Sequence, residues 1–102
     1  MFVLPSVDEA YGVAYVEAMA GGVPAIGSRH EPGPEDLHRL TEGMCLVAPG
    51  DPEGLAKTLA SLLDDDRERR RLGEAARDAV ARHLTWEACG RATVQAYADA
   101  LA

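Results

Sequence analysis

The chain has 102 residues and a mass of 10.8 kDa, enough for one domain that buries a core without disulfides or metal ions. It carries 10 Lys and Arg residues against 17 Asp and Glu residues, a formal net charge of −7. Such a chain is unsuited to a nucleic-acid backbone, whose binding depends on Lys and Arg, and to an anionic membrane surface. Residues 1–50 hold only two cations, Arg29 and Arg39, against seven anions.

The first part of the chain predicts strands that alternate with helices. The apolar run Phe2–Pro5 predicts a buried strand, and the loop Val7–Ala10 leads to a helix over Gly12–Ala20. Gly21 and Gly22 end that helix, because glycine readily takes the left-handed conformation that closes helices. Pro24–Gly27 predicts a second buried strand. We expect the helix to face the core with Val13, Val16, Met19 and Ala20.

A second helix and a third strand follow. We predict a loop over Ser28–Gly33, then a helix that begins with Pro34 at its first position and ends at Leu40. Met44–Ala48 predicts the third strand. Strands joined by helices in this order are typical of an α/β fold with a parallel sheet.

The second half of the chain is predicted to be helical. Asp51, followed by a proline and a glutamate, is a strong helix start, and Asp64–Asp66 ends that helix and caps the next. Thr85 caps a last helix, which Trp86 is expected to anchor in the core. The three apolar stripes are Leu55, Leu59, Leu62 and Leu63; then Leu72, Ala76, Ala79, Val80 and His83; then Trp86, Thr93, Tyr97 and Leu101.

These elements predict a partial Rossmann-like, three-layer α/β fold with about three parallel strands, flanking helices and a helical C-terminal half. We expect residues 1–102 to form a single domain, β/α over 1–50 and helical over 51–102. Three strands are fewer than the five or six of a doubly wound sheet, so we expect an open strand edge.

Cysteine usage and the absence of a leader suggest a cytoplasmic protein. Cys45 and Cys89 fit no metal-ligand or redox spacing and are expected to be buried free thiols. The amino-terminal residues lack the basic region of a signal peptide. The longest uncharged stretch, Ala18–Ser28, is too short to span a membrane.

The informative stretch lies around the first predicted helix. Glu9 lies in the loop that leaves a strand, Gly12 opens the helix, and Glu17 lies on its second turn. Ligands of open α/β sheets bind beyond the carboxyl ends of strands, and the amides of a helix N-terminus suit a phosphate. The two carboxylates would repel a phosphate but accept hydrogen bonds from hydroxyls. The pattern favours a ligand with phosphate in the middle and polyols at both ends, such as a sugar nucleotide.

The wider sequence resembles the donor-binding segment of group 1 glycosyltransferases, a large retaining family with the two-domain GT-B fold. The residues that carry the resemblance are Leu4-Pro-Ser, Glu9, Tyr11-Gly12, Glu17-Ala-Met-Ala, Gly22, Pro24, Pro34-Glu35, Val47-Ala-Pro-Gly-Asp-Pro-Glu, Leu55-Ala, Leu62-Leu63-Asp, Leu84-Thr-Trp-Glu and Tyr97. They extend over essentially the whole chain. The resemblance therefore implies the C-terminal portion of a GT-B donor-binding domain.

The family resemblance also implies roles for individual residues. Glu9 would contact the transferred sugar as the catalytic residue, and Glu17 would hold the ribose hydroxyls. Tyr11, Gly12, Val13 and Ala14 would complete the site for a UDP- or GDP-sugar donor. No cofactor or metal is implied, since the donor loop has no Asp-x-Asp motif.

Two differences from the family bear on activity. A glycine pair of the family aligns with Glu31-Pro32, which implies a different loop path. The Arg and Lys that bind the diphosphate, and the acceptor domain, have no counterpart here, so we expect no catalysis by this chain alone. The alternatives are an inactive structural fragment that self-associates through an open strand edge or its terminal helix, and a small α/β binding module.

Overall fold

The computed structural model describes all 102 residues and contains three parallel strands and five helices. In chain order they are β1 (Phe2–Val3), α1 (Val13–Ala20), β2 (Ala25–Ser28), α2 (Pro32–Leu40), β3 (Met44–Val47), α3 (Pro52–Asp64), α4 (Asp66–His83) and α5 (Trp86–Leu101). The strands lie in the order β1-β2-β3, with Phe2 opposite Ala25 and Ile26 opposite Cys45. The predicted fold class is confirmed.

Helices cover both faces of the sheet, because successive strand residues point to opposite sides. The core on one face, which joins the sheet to α1, α2 and α4, contains Tyr15, Met19, Ala25, Leu37, Met44 and Ala76. The core on the other face, beneath α3 and the first half of α4, contains Ile26, Val47, Leu62 and Leu72. All four residues of the central strand β2 are buried, which explains why apolar and exposed polar residues do not alternate along it.

Helix caps agree with the sequence pattern. The Asp51 side chain accepts a hydrogen bond from the Gly54 amide (2.9 Å), and Thr85 accepts one from the Ala88 amide (3.1 Å). Asp65, within the predicted Asp64–Asp66 break, caps α4. These interactions are local, within three residues, so a sequence pattern can predict them.

Two predicted boundaries were wrong by two residues each, and those of β2 and β3 by one residue. Strand β1 ends at Val3 rather than Pro5, although the Leu4 amide still donates to the Ile26 carbonyl (3.0 Å); Pro5 has no amide with which to continue the ladder. Helix α2 begins at Pro32 rather than Pro34. Both prolines fit its first turn, where amides have no intrahelical acceptor.

The inward face of α1 also differs from the prediction. Tyr15 and Met19 are buried and Val16 is half-buried, whereas Val13 is 59% exposed and Ala20 is exposed. Apolar side chains of α1 itself occur on nearly every side of the helix, so the sequence pattern did not indicate which face is buried. The large Tyr15 ring, four residues before Met19 and therefore on the same face, selects it.

Helix α5 has no buried residue, and Trp86 is 88% exposed, so the predicted core anchor was wrong. Cys89 on α5 is exposed and Cys45 is half-buried, so the expected burial of both thiols was also wrong. Helical spacing predicts which residues lie on the same face of a helix, but not whether another helix or strand packs against that face. The same holds for Leu63 on α3, which is 62% exposed.

Two glycines inside helices test the packing of α4. A Cβ on Gly73 would overlap the carbonyl oxygen of Gly22, whereas one on Gly90 would meet nothing within 4 Å. We predict that Gly73→Ala lowers the free energy of unfolding by about 1–3 kcal/mol through overpacking. The control, Gly90→Ala on α5, should raise the free energy of unfolding by about 0.5–1 kcal/mol through helix propensity.

Denaturant unfolding measures the stability of both variants. Equal effects of the two substitutions would contradict the close contact of α4 with Gly22.

Candidate functional site

The loops that leave β1 and β2 meet at the carboxyl edge of the sheet. The loop after β1 runs from Leu4 to Gly12, and the loop after β2 runs from Arg29 to Glu31. The Glu31 carboxylate accepts hydrogen bonds from the amides of Asp8 (3.1 Å) and Glu9 (2.8 Å). This edge is where ligands bind in open α/β folds, so the predicted site residues lie in a suitable place.

Helix α1 begins at this edge with unpaired amides. Its N-cap, Gly12, has a φ of 84° and provides no side-chain cap. The Tyr15 amide donates to the Gly12 carbonyl (3.0 Å), but the amides of Gly12, Val13 and Ala14 donate to no acceptor of the chain. A helix N-terminus with unpaired amides is a ready binding site for an anion.

The two predicted carboxylates have different surroundings. Glu9 is half-buried, and one of its oxygens accepts a hydrogen bond from the Ser6 hydroxyl (3.0 Å). Glu17 is exposed on α1, four residues after Val13 and on the same side of the helix. Glu9 is therefore held within the loop, whereas Glu17 extends freely from the helix that presents the amides.

Tyr15 links the loop to the core and is the site residue that the sequence reasoning missed. Its ring is buried edge-on against Phe2, with centroids 5.7 Å apart, and its hydroxyl donates to the Leu4 carbonyl. Burial raises the pKa of Tyr15; a hydrogen bond with Ser6 opposes this, and the charges of Glu9 and Glu31 add to it. The hydroxyl thus remains a donor that fixes the start of the loop. An aromatic residue four positions before Met19 was the available sequence signal.

Tyr11 lies on the outer side of the same region. It is 48% exposed and lines an apolar groove of about 610 Å³ between the start of α1 and the junction of α4 with α5. Val13, Leu84 and Trp86 also line this groove. The Tyr11 ring is therefore placed beside α5, at the edge of the candidate site.

Both loops contain backbone in an unfavourable conformation. Asp8 has a φ of 58° and His30 a φ of 65°, and no other non-glycine residue of the chain has a positive φ. The His30 amide donates to the Glu35 carboxylate (3.0 Å), and this hydrogen bond lowers the pKa of Glu35. Backbone strain of this kind persists only where surrounding contacts enforce it, and it concentrates at functional sites.

The candidate site contains no ion pair. The basic partners of the four ion pairs in the structure are Arg39, Arg69 and Arg71, and their acidic partners are Asp36, Asp66, Glu42 and Glu68. None of these acids lies in the loop after β1. Arg29, in the loop after β2, is in none of these pairs either, so the site offers amides and carboxylates without an ion-paired cation.

The structure has neither a metal-binding cluster nor a membrane-spanning helix. No cluster of three or more His, Cys, Asp or Glu side chains is arranged to hold a metal ion. None of the helices combines the length and the apolar character that crossing a membrane requires.

Comparison with known proteins identifies similar chains. Residues 1–79 match the family described as "Glycosyl transferases group 1". The chain is 37% identical over 99 residues to an MMP alpha-(1->4)-mannosyltransferase of Mycolicibacterium hassiacum, covering 97% of this chain and 24% of the relative. It is 41% identical over 81 residues to an N-acetyl-alpha-D-glucosaminyl L-malate synthase of Bacillus anthracis, covering 78% of this chain and 21% of the relative.

A solved structure shares the fold. A sucrose-phosphate synthase from Thermosynechococcus elongatus superposes with a TM-score of 0.82 at 33% identity, covering 97% of this chain and 25% of that one. The chain spans about a quarter of the length of the curated relatives it matches. The likeness therefore covers nearly all of this chain and only a small part of each relative.

The buried hydroxyl of Tyr15 gives a pH-dependent prediction. In the unfolded chain it ionises near its ordinary pKa of 10.0, whereas the folded chain keeps its proton to higher pH. The hydroxyl's contribution to the free energy of unfolding is therefore complete below pH 10, and it is lost as the pH rises through the pKa that Tyr15 has in the folded chain. We predict that Tyr15→Phe lowers the free energy of unfolding by about 1–2 kcal/mol at neutral pH and that the gap narrows above pH 10.

Denaturant unfolding from pH 7 to pH 11 measures this gap. Tyr97→Phe is the control, because Tyr97 is 68% exposed and forms no hydrogen bond in the structure; it should follow the parent chain at every pH. Parallel curves for Tyr15→Phe and the parent chain across the alkaline range would contradict the prediction.

Proposed function

Because this chain belongs to the group 1 glycosyltransferases, we propose that it forms part of the donor site of a sugar-nucleotide-dependent enzyme. The reaction is transfer of a hexosyl group from a UDP- or GDP-sugar with retention of anomeric configuration. Residues 1–102 are the C-terminal portion of a GT-B donor-binding domain. The likeness to a mannosyltransferase, to an N-acetyl-alpha-D-glucosaminyl L-malate synthase and to a sucrose-phosphate synthase supports this assignment.

The observation that carries the proposal is the unpaired start of α1. The amides of Gly12, Val13 and Ala14 bind the distal phosphate of the donor, because they lack other acceptors and stand at the positive end of the helix dipole. Negative charge grows on this phosphate as the bond to the sugar breaks. Fixed donors at that position stabilise the transition state without any reorganisation.

The carboxylates on either side of α1's start bind hydroxyls. Glu9 lies in the loop before the amides and accepts hydrogen bonds from the hexosyl hydroxyls, so it is the candidate catalytic residue. Glu17, further along α1, accepts those of the ribose. An ionised acceptor forms strong hydrogen bonds with hydroxyls, which offsets the repulsion that each carboxylate exerts on the diphosphate.

The diphosphate also requires positive charge, which a different segment supplies. Arg29 and Arg39 are the only cations of residues 1–50, and Arg39 already pairs with Asp36. The chain spans about a quarter of its relatives, which leaves room for those cations and for an acceptor site in a longer protein. By this proposal the chain binds donor weakly and does not catalyse transfer alone.

We also propose a cytoplasmic location. Cys45 on β3 and Cys89 on α5 are both free thiols, and Cys89 is exposed. A reducing compartment keeps such a thiol from forming intermolecular disulfides.

Donor binding gives the direct test. We predict that UDP-glucose or GDP-mannose, added to ¹⁵N-labelled chain, shifts the amide resonances of Gly12, Val13 and Ala14. Glu17→Gln should weaken binding roughly tenfold, since it removes a charged acceptor of two ribose hydroxyls. The control is Glu53→Gln on α3, an exposed glutamate in a helical first turn, which should bind as the parent does. A folded sample without shifts at millimolar nucleotide would refute the proposal.

A second candidate role, self-association, rests on α5. This helix has no buried residue, and Val94, Tyr97 and Leu101 form an exposed apolar stripe along it. Apolar stripes of this kind usually lie in an interface. A second copy of the chain is one partner that would cover it, and the free edge of β1 is another contact that a second copy would satisfy.

Sedimentation velocity tests this candidate. We predict a concentration-dependent dimer, and a monomer for the double substitution Val94→Lys and Tyr97→Lys, because two charges on the stripe oppose burial. Leu63→Lys on α3 is the control, since Leu63 is equally apolar and 62% exposed, and it should leave the dimer intact. A monomer at all concentrations would exclude self-association.

A further inference from the structure

The Glu31 side chain makes an unusual contact for a residue that precedes a helix. Short polar side chains at the N-cap position often accept hydrogen bonds from the first amides of their own helix, and Glu31 occupies this position in α2. It forms no such cap, and Pro32 at the first helical position offers no amide. The carboxylate instead binds the Asp8 and Glu9 amides, more than twenty residues earlier in the chain.

The two amides that Glu31 binds form a small anion-binding concavity. They are consecutive, and Asp8 takes the left-handed conformation with a φ of 58°. Consecutive amides around a left-handed residue converge on one point and attract an anion. Here the anion comes from within the chain, with both carboxylate oxygens engaged, at 3.1 Å and 2.8 Å.

Two hydrogen bonds hold Glu9 in place. Its amide donates to the Glu31 carboxylate, and its own carboxylate accepts a hydrogen bond from the Ser6 hydroxyl. Glu31 is in turn attached to α2. The Glu35 amide in the first turn of that helix donates a hydrogen bond to the Glu31 carbonyl (3.0 Å). The position of Glu9 therefore depends on α2 as well as on β1.

The same contact places a second negative charge beside Glu9. None of the ion pairs in the structure includes Asp8, Glu9 or Glu31. Both glutamates lie close enough to the Tyr15 hydroxyl to act on its pKa. A further anion brought to this loop would meet negative charge that no ion pair neutralises, and like charges in contact disfavour binding.

We propose that Glu31 is a positioning and specificity-determining residue: it holds Glu9 in place and restricts the transferred group to a hexosyl unit without an acidic substituent. The proposal rests on the donor role assigned above to Glu9. It distinguishes neutral donors, such as UDP-glucose, from donors of the same nucleotide and ring size that carry a carboxylate, such as UDP-glucuronate.

Amide hydrogen exchange, measured by NMR without any ligand, tests the positioning role. Glu31→Gly removes both acceptors and should speed exchange at Asp8 and Glu9 about tenfold or more, as the loss of hydrogen bonds to a charged group predicts. Glu31→Gln retains one acceptor oxygen and should preserve part of the protection. Asp36→Asn, which removes an exposed charge from the same helix, is the control and should change neither amide. Unchanged exchange in Glu31→Gly would overturn the positioning role.

Titration with UDP, UDP-glucose and UDP-glucuronate tests the specificity, with GDP, GDP-mannose and GDP-mannuronate as the guanine series. The parent chain should bind the neutral sugar nucleotide at least about tenfold more tightly than the acidic one, and Glu31→Gln should reduce that ratio to about threefold or less. Asp36→Asn should keep the parent ratio.

The outcomes separate the two proposals. Binding of every nucleotide with equal affinity for neutral and acidic sugars overturns the specificity and leaves the donor site standing. Binding of none of them overturns the proposed function and the specificity together, while the exchange result still decides whether Glu31 positions Glu9.

Discussion

The burial of Tyr15 is the contact on which the site depends. Its ring lies between α1 and the sheet, edge-on to Phe2, and its hydroxyl holds the Leu4 carbonyl at the point where β1 gives way to the loop. The ring leaves no space for a side chain at Gly12 or Gly27, where a Cβ would overlap it or press against it. One side chain therefore joins the hydrophobic core, the left-handed start of α1 and the beginning of the loop that carries Glu9.

This arrangement separates the site's hydrogen-bond donors from its charges. Backbone amides supply all of the donors at the start of α1, whereas the side chains nearby are acidic. Amides are held by the fold itself and need no counterion, so they can face a phosphate in a chain with a net charge of −7. Under the proposed function, the full neutralisation of a diphosphate is a separate requirement. Three of the ten cations, Arg39, Arg69 and Arg71, already take part in ion pairs on α2 and α4.

The sequence predicted those features that short-range physics controls. The alternation of strands and helices follows from apolar runs buried on both faces, and the caps at Asp51 and Thr85 depend on residues three positions away. The position of Glu9 in the loop after a strand and of Gly12 at a helix start followed from the same local rules, and the family resemblance added their roles. The sequence could not predict which face of α1 is buried, because apolar residues surround that helix. Nor could it predict the bond between Glu31 and Glu9, whose partners come together only when β1 and β2 pair, or the exposure of Trp86, which depends on what lies opposite α5.

Strand β1 has only two residues and pairs on one side, yet the loop that carries Glu9 continues directly from it. A strand that joined its free edge would add backbone hydrogen bonds next to Leu4 and so stiffen the base of that loop. If the loop binds a ligand as proposed, ligand affinity and strand pairing are thermodynamically linked, and the linkage is reciprocal: each would change the other by the same factor. A two-residue edge strand would gain more order from such pairing than a longer strand, which already makes most of its backbone hydrogen bonds within the sheet.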